Sequence, residues 1–336
     1  MKTIDVERVC TMGGLGKPRG ELQAVAGGLL HHVCRLETSQ GVFAIKQLNP
    51  AMMGEPDTLD AYRMSEKIAH LMAERGIPAV AALPLADGDV IYNLDGMALL
   101  VYPWIEGPLL SASSLDLHAA NTLGGLLAQL HALQLTIPEL PPFVWKHLHD
   151  EDWDILTFQA SDLNLAWANP VRSLLPQLLE WTRAYEEAGT VLGQHMLVSH
   201  TNCEPGNVIW SSESSPWLID WEAAGWINPT MELVRTALTW SGITTGQPRE
   251  EIFSAILAGY TAAGGVIQDT GRDALHGCMG TWLGWLLFTM RRSLGESVTS
   301  EEEEQIGIRE TSKMVATLRL LTAHEAHWVE LVERWR

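Results

Sequence analysis

Cysteine is scarce in this chain of 336 residues: there are four, Cys10, Cys34, Cys203 and Cys278, far apart and without a C-x-x-C. With no apolar signal core at the N-terminus, the expectation is a reduced, cytoplasmic protein, and its length excludes a small disulfide-stapled scaffold. Long apolar runs are lacking too. The most apolar late stretch, residues 278–290, is broken by Gly280 and Gly284 and is too short for a membrane span of roughly 20 residues. Basic residues are outnumbered, 22 Lys and Arg against 41 Asp and Glu, for a net charge of −19. Such a surface repels nucleic acid and anionic membranes and suits a cationic partner. Phe and Tyr are few, five each, against 14 Trp, and no segment repeats at a fixed period.

Apolar residues make up 46% of the chain and charged ones 19%, the balance of a globular protein of one large domain or two joined lobes. Residues 22–48 read as a hairpin: Gly27-Gly28 at the entry, Val33 to Leu36, a turn at Ser39-Gln40-Gly41, then Val42 to Ile45. Leu59, Tyr62, Ile68, Leu71 and Met72 recur at helical spacing between Asp57 and Arg75, closed by Gly76 and Pro78. Val90 to Tyr92 and Met97 to Tyr102 flank the turn sequence Asn93-Leu94-Asp95-Gly96. After Gly107-Pro108 the period becomes helical, in segments near 117, 170, 229, 250, 270 and 301. Short strands are expected at Met196 to Val198, Val208 to Trp210 and Trp217 to Ile219. Glu301 to Glu304 reads as a solvated first helical turn favoured by the helix dipole.

The polar loop Ser199-His200-Thr201-Asn202-Cys203-Glu204-Pro205-Gly206-Asn207 and the segment Ile219-Asp220-Trp221-Glu222 both sit at strand ends. Asn207 and Asp220 offer an amide oxygen and a carboxylate, hard ligands of the kind Mg²⁺ takes when water and phosphate complete its shell. Lys46, at the end of an apolar strand, can point an ammonium at a phosphate. Glu66 lies on the predicted helix beside Tyr62, Ala69 and Ala73, where a partly buried carboxylate could pair with that lysine. For each of Lys46 and Glu66 alone, a solvated surface role is the plain alternative.

The order strand-Lys, helix-Glu, H-x-[DN]-x-x-x-x-N and I-D-W-E resembles the aminoglycoside phosphotransferase family, within the protein-kinase-like fold. The resemblance extends from about Gly27 to Trp240 and includes Leu126 to Leu133, Asn207 to Trp210, Ile219 to Gly225 and Asn228 to Leu233. It implies an α+β, bilobal protein: residues 1–103 a small antiparallel-sheet lobe that binds nucleotide, residues 104–336 a larger, mainly helical lobe with the catalytic loop and substrate region. By resemblance, Lys46 contacts the phosphates of ATP or GTP and Glu66 orients it. Asn207 and Asp220 hold Mg²⁺, and Tyr102, Pro103, Trp104 and Ile105 form the hinge that receives the purine. Gly27 and Gly28 fall in the loop over the phosphates, though two glycines there equally suit a plain turn. The acceptor implied is a hydroxyl of a small molecule such as an amino sugar or another cationic metabolite or antibiotic, with Glu222, Glu232 and Asp269 as candidates to attract its ammonium groups. Neither nucleic acid nor membrane is an expected partner.

One departure concerns chemistry directly. The family's loop carries an aspartate that accepts or orients the proton of the acceptor hydroxyl, and here that position is Asn202, an amide that cannot act as a base. Activity is therefore expected to be impaired. Three accounts stay open: a pseudoenzyme, an enzyme using another base, or an aspartate replaced deliberately. Glu204 is the only carboxylate within the loop. The alternative function is a non-catalytic, pseudokinase-like nucleotide-binding module. His200 invites a catalytic reading because histidine as a residue type titrates near neutrality, but packing and hydrogen bonding that brace the loop are the stronger reading, and His131 reads as a core histidine. His31, His32, His147 and His149 show no zinc-ligand spacing. The tryptophans at 217, 221, 226, 240, 282 and 285 read as core.

Overall fold

Asp95 and Gly96, at φ 54° and 81°, are the left-handed pair that a two-residue type I′ turn requires. They set Leu94 opposite Met97, so the strand before the turn is Tyr92–Leu94, two residues later than the apolar run alone suggests. The computed structural model describes residues 4–25, 30–53, 57–211 and 215–336; Gly27 and Gly28 lie outside them. In chain order the elements are α1 (Val6–Gly13), β1 (Gln23–Val25), β2 (His32–Glu37), β3 (Val42–Gln47), α2 (Thr58–Glu74), β4 (Tyr92–Leu94) and β5 (Met97–Pro103). Then follow α3 (Leu117–Ala132), α4 (Asp150–Asp162), α5 (Ala168–Arg172), α6 (Leu175–Leu192), β6 (Leu197–Ser199), β7 (Val208–Trp210), β8 (Pro216–Leu218) and β9 (Gly225–Ile227). Five helices close the chain: α7 (Pro229–Ser241), α8 (Glu250–Ala262), α9 (Gly271–Ser293), α10 (Glu301–Ala323) and α11 (Glu325–Glu333).

The chain divides into two compact units, residues 1–109 with 206–224, and residues 110–205 with 225–336. The first is built on a five-stranded antiparallel sheet in the order β1-β2-β3-β5-β4. Leu36, Ile45, Leu99 and Val101 pack with Val9 and Cys10 of α1, while Leu59 and Tyr62 of α2 pack on Leu48, Ile91 and Leu100. The hairpin β7–β8 joins this unit through backbone bonds: Val80 N–H donates to Leu218 O at 2.9 Å and Leu218 N–H to Pro78 O at 2.8 Å.

The second unit is helical, with β6 and β9 paired antiparallel. All of α7 is buried, and its cap Asn228 accepts from Met231 N–H, the Asn-Pro start expected of a helix. Helices α3 and α8 meet on glycine. A Cβ on Gly124 would stand 2.0 Å from Ile256 O, and one on Gly259 1.9 Å from Asn121 O, so backbone touches backbone there. The acidic run Glu301–Glu304 is the first turn of α10, capped by Ser300. Among the described residues no helix is long and apolar enough to cross a membrane.

Candidate active site

In the first unit Lys46 is the focus. Near the end of β3, where β-branched and aromatic neighbours hold the strand between β2 and β5, the residue is 7% exposed. Its Nζ lies 2.6 Å from Asp220 Oδ1 and 2.6 Å from Glu222 Oε2, residues far away in the sequence. Burial would lower the lysine's pKa, but the two carboxylates outweigh it and hold the ammonium charged above its ordinary range. Burial pushes the Glu222 carboxyl up, yet hydrogen bonds and charge from His31 and Lys46 win and bring it down to about 2. Asp220 adopts φ 61°, ψ 63°, a left-handed conformation that costs a non-glycine residue about 1–2 kcal/mol. It opens the 3₁₀ turn Trp221–Ala223, which brings the carboxylates of residues 220 and 222 onto one ammonium.

Asn207 ends the 3₁₀ turn Pro205–Asn207 and its carbonyl accepts from Ile219 N–H at 3.0 Å. The β7–β8 register, Val208 opposite Leu218, thus sets Asn207 beside the Ile219-Asp220 step. No cluster of three or more His, Cys, Asp and Glu among the described residues has metal-holding geometry. The Asn207 amide and the Asp220 carboxylate are hard oxygen donors of the kind that suit Mg²⁺ completed by phosphate and water. Glu66 has other partners than Lys46. Its oxygens accept from Tyr102 Oη–H at 2.7 Å and Ala82 N–H at 2.7 Å, and burial raises its pKa. In the segment expected to form the hinge, Tyr102 and Pro103 pair with Ala44 and Phe43 in the sheet. Trp104 donates its N–H to Val42 O at 3.0 Å, and the backbone of Ile105 has no hydrogen-bond partner among the described residues.

In the second unit the loop from His200 to Glu204 is held by its backbone. Thr201, left-handed at φ 61°, donates its N–H to Glu232 Oε1 at 2.7 Å. Asn202 N–H donates to His200 Nδ1 at 3.2 Å, Glu204 N–H to Asn202 O at 2.8 Å, and Trp240 Nε1–H to Cys203 O at 2.7 Å. His200 is wholly buried beneath the loop whose Asn202 N–H it accepts. Glu232, with no exposed surface, also accepts from His131 Nε2 at 2.8 Å, while His131 Nδ1 meets the Tyr260 hydroxyl at 2.9 Å. With Glu232 ionised, Nε2 carries the ring proton and Nδ1 accepts from Tyr260. Burial would raise the Glu232 carboxyl, but the His131 hydrogen bond overcomes it and the pKa is lowered. Burial raises the Glu204 carboxyl, and pushes the Cys203 thiol far up, so Cys203 is no thiolate nucleophile.

The carboxylates expected to greet a cationic substrate are engaged internally. Glu222 serves Lys46 and His31, Glu232 the loop, and Asp269 bonds His195 at 3.1 Å and Asn228 at 2.8 Å. Trp221, Trp240 and Trp282 are buried core residues, and Trp217, Trp226 and Trp285 are half-buried. His31 and Tyr62 were not foreseen beside Lys46. Tyr62 reads as one more apolar helix position, and His31 precedes its strand, so nothing in their spacing marks them; the only pointer is that Glu222 follows Asp220 by two residues.

The fold has counterparts among known proteins. Among solved structures, a spectinomycin phosphotransferase in complex with ADP and spectinomycin superposes with a TM-score of 0.71 at 13% identity, over 97% of this chain and 99% of that one. A microcompartment-associated aminopropanol kinase gives 0.60 at 15% identity over 95% and 98%, and a choline kinase of Streptococcus pneumoniae 0.58 at 14% over 93% and 99%. These likenesses establish an α+β, protein-kinase-like fold. No curated protein sequence matches the chain. The profile described as "Phosphotransferase enzyme family" (APH) matches residues 21–266, the larger part of the sequence and the part that carries Lys46, the His200–Asn207 loop and Asp220, so the chain belongs to the APH phosphotransferase family.

Proposed function

We propose that the chain is a small-molecule kinase that transfers the γ-phosphate of ATP or GTP, held with Mg²⁺, to an alcohol group of its acceptor. The observation that carries this reading is the meeting of the Lys46 ammonium with the Asp220 carboxylate at 2.6 Å, a cation for phosphate beside an anion for metal. Asn207 and Asp220 would hold the Mg²⁺, which supplies charge neutralisation at the phosphates. Lys46 would bind and orient the nucleotide phosphates as a point charge. Ile105, its backbone N–H and C=O unclaimed, is the hinge residue best suited to a purine edge. The acceptor is a hydroxylated amine: the compared enzymes are named for spectinomycin, aminopropanol and choline, and a net charge of −19 draws cations in. Four free cysteines suit a reducing, cytoplasmic setting.

Asn202 stands where the proton acceptor would be. Its amide oxygen can accept a hydrogen bond from the acceptor hydroxyl and orient it, but cannot take the proton. General base assistance is worth about 10² to 10⁴ in rate, whereas positioning and electrostatics supply the larger share of phosphoryl transfer, so turnover is slow rather than absent. Asn202 also favours a second reading, a nucleotide-binding module without turnover. Thermal unfolding with and without Mg·ATP, followed by ATP consumption over a panel of amino alcohols and aminoglycosides for the parent and Asn202→Asp, separates the two. A Mg²⁺-dependent rise in unfolding temperature and turnover that increases in the aspartate form are expected. Binding without turnover in either form favours the module, and no binding at all defeats both.

A further inference from the structure

In the structure helix α2 reaches Lys46 by a route other than Glu66. His31, 5% exposed, accepts at Nδ1 from Asn49 N–H at 3.0 Å. In the neutral ring the proton is therefore on Nε2. That nitrogen lies 2.7 Å from Tyr62 Oη and 3.2 Å from Glu222 Oε2, so its N–H is shared between a hydroxyl of α2 and the carboxylate that touches Lys46 Nζ at 2.6 Å. The Tyr62 and His31 rings meet edge to face, centroids 5.8 Å apart. Meanwhile both oxygens of Glu66 are taken by Tyr102 and Ala82.

We propose that His31 and Tyr62 are positioning residues that aim Glu222 at Lys46, so that α2 steers the phosphate-binding lysine through a Tyr62–His31–Glu222 bridge while Glu66 braces β5. This rests on the reading of Lys46 as a nucleotide ligand. Physically, a lysine side chain has four rotatable bonds, and burial alone does not choose among its rotamers. A carboxylate fixed on two sides does, because a charge-assisted bond is short and directional. Glu222 follows the left-handed Asp220 within a single turn, so without His31 its carboxylate would be held only by the mobile ammonium it is meant to aim.

The test uses the geometry of amides. Asn at position 31 places an oxygen where Nδ1 stands and keeps the Asn49 bond, but does not reach Glu222. Gln places its Nε2 where the ring's Nε2 stands and keeps the donor to Glu222. The expected result is that His31→Asn and Tyr62→Phe each raise the Kd for Mg·ATP about five- to twentyfold, the loss of roughly one to two hydrogen bonds. His31→Gln recovers most of that loss, and Glu66→Gln loses less than His31→Asn. Asn equal to the parent with Gln impaired would reduce His31 to a brace for Asn49 and overturn the proposal, as would a larger loss in Glu66→Gln. A second arm needs no nucleotide: urea midpoints of the free protein for His31→Asn, Glu222→Gln and the pair. Non-additive shifts are expected and additive ones overturn the bridge. If the parent fails to bind Mg·ATP, the kinase reading falls, and this arm still decides on the bridge.

Discussion

Glu66 is a buried carboxylate without an ion pair of its own. Burial lifts its pKa against the pull of the Tyr102 hydroxyl and the Ala82 N–H, whereas in the unfolded chain it titrates near about 4.3. The folded protein thus keeps this proton to higher pH than the unfolded chain does. The stability it contributes is full below the unfolded value and is lost as pH rises through the folded one. Glu66→Gln is expected to remove that decline, because an amide can accept from Ala82 and donate to the Tyr102 oxygen. Urea midpoints between about pH 4 and 8 check this, and a slope equal to the parent's would contradict it. Lys46→Ala is expected to leave Asp220 without its ammonium and Glu222 with His31 alone, and to weaken Mg·ATP binding by tenfold or more, at roughly 1.4 kcal/mol per factor of ten. Unchanged affinity by calorimetry would remove Lys46 from the site. That Lys46 comes together with Asp220 was legible, because motif and chemistry agree on them: a lysine ending an apolar strand and a hard carboxylate at a strand end. That Glu222, not Glu66, is the second partner of Lys46 was not legible. Glu66 has the better sequence position, but which carboxylate reaches the ammonium is decided by the turn at Asp220, and no residue type announces a left-handed aspartate.

Helix α7 acts as the shelf of the loop it faces. Glu232 takes the Thr201 N–H and Trp240 the Cys203 carbonyl, two positions eight residues apart and so close to one face. Glu232→Gln is expected to cost about 1–3 kcal/mol, because the amide replaces one of two buried acceptor oxygens with an N–H that faces the Thr201 N–H or the His131 Nε2–H. Chemical denaturation measures it, and a loss under 1 kcal/mol would show the pair to be dispensable. At the crossing of α3 and α8, Gly124→Ala must force backbones apart and is expected to cost more than about 2 kcal/mol; a neutral result would mean that the helices slide. Helix α2 was legible in place and extent, and α7 and α10 in where they begin. Helices α1 and α4 were not, since α1 is short and α4 begins with the acidic stretch Asp150, Glu151, Asp152, whose apolar positions are too sparse to set a period. Strand β9 was missed because three residues, Gly225–Ile227, gain strand structure only from pairing with β6.

Over the whole molecule a net charge of −19 means that the folded chain repels itself. Ions shorten the reach of that repulsion to about 10 Å at 0.1 M, so the unfolding temperature is expected to rise between roughly 10 and 200 mM NaCl. A fall would show that ion pairs such as Arg63–Asp89 and Arg291–Asp152 outweigh the net charge. The composition made this charge legible, and the switch from strand to helical periodicity near residue 107 marked the change of architecture. What periodicity does not report is that the chain leaves the first unit at residue 109 and returns to it for residues 206–224. During synthesis, β1 to β5 emerge from the ribosome long before Asp220 and Glu222 exist, and Lys46 enters a closing core with neither counter-ion yet made. The sheet must tolerate that solitary ammonium, or wait open, until nearly two-thirds of the polypeptide has been translated.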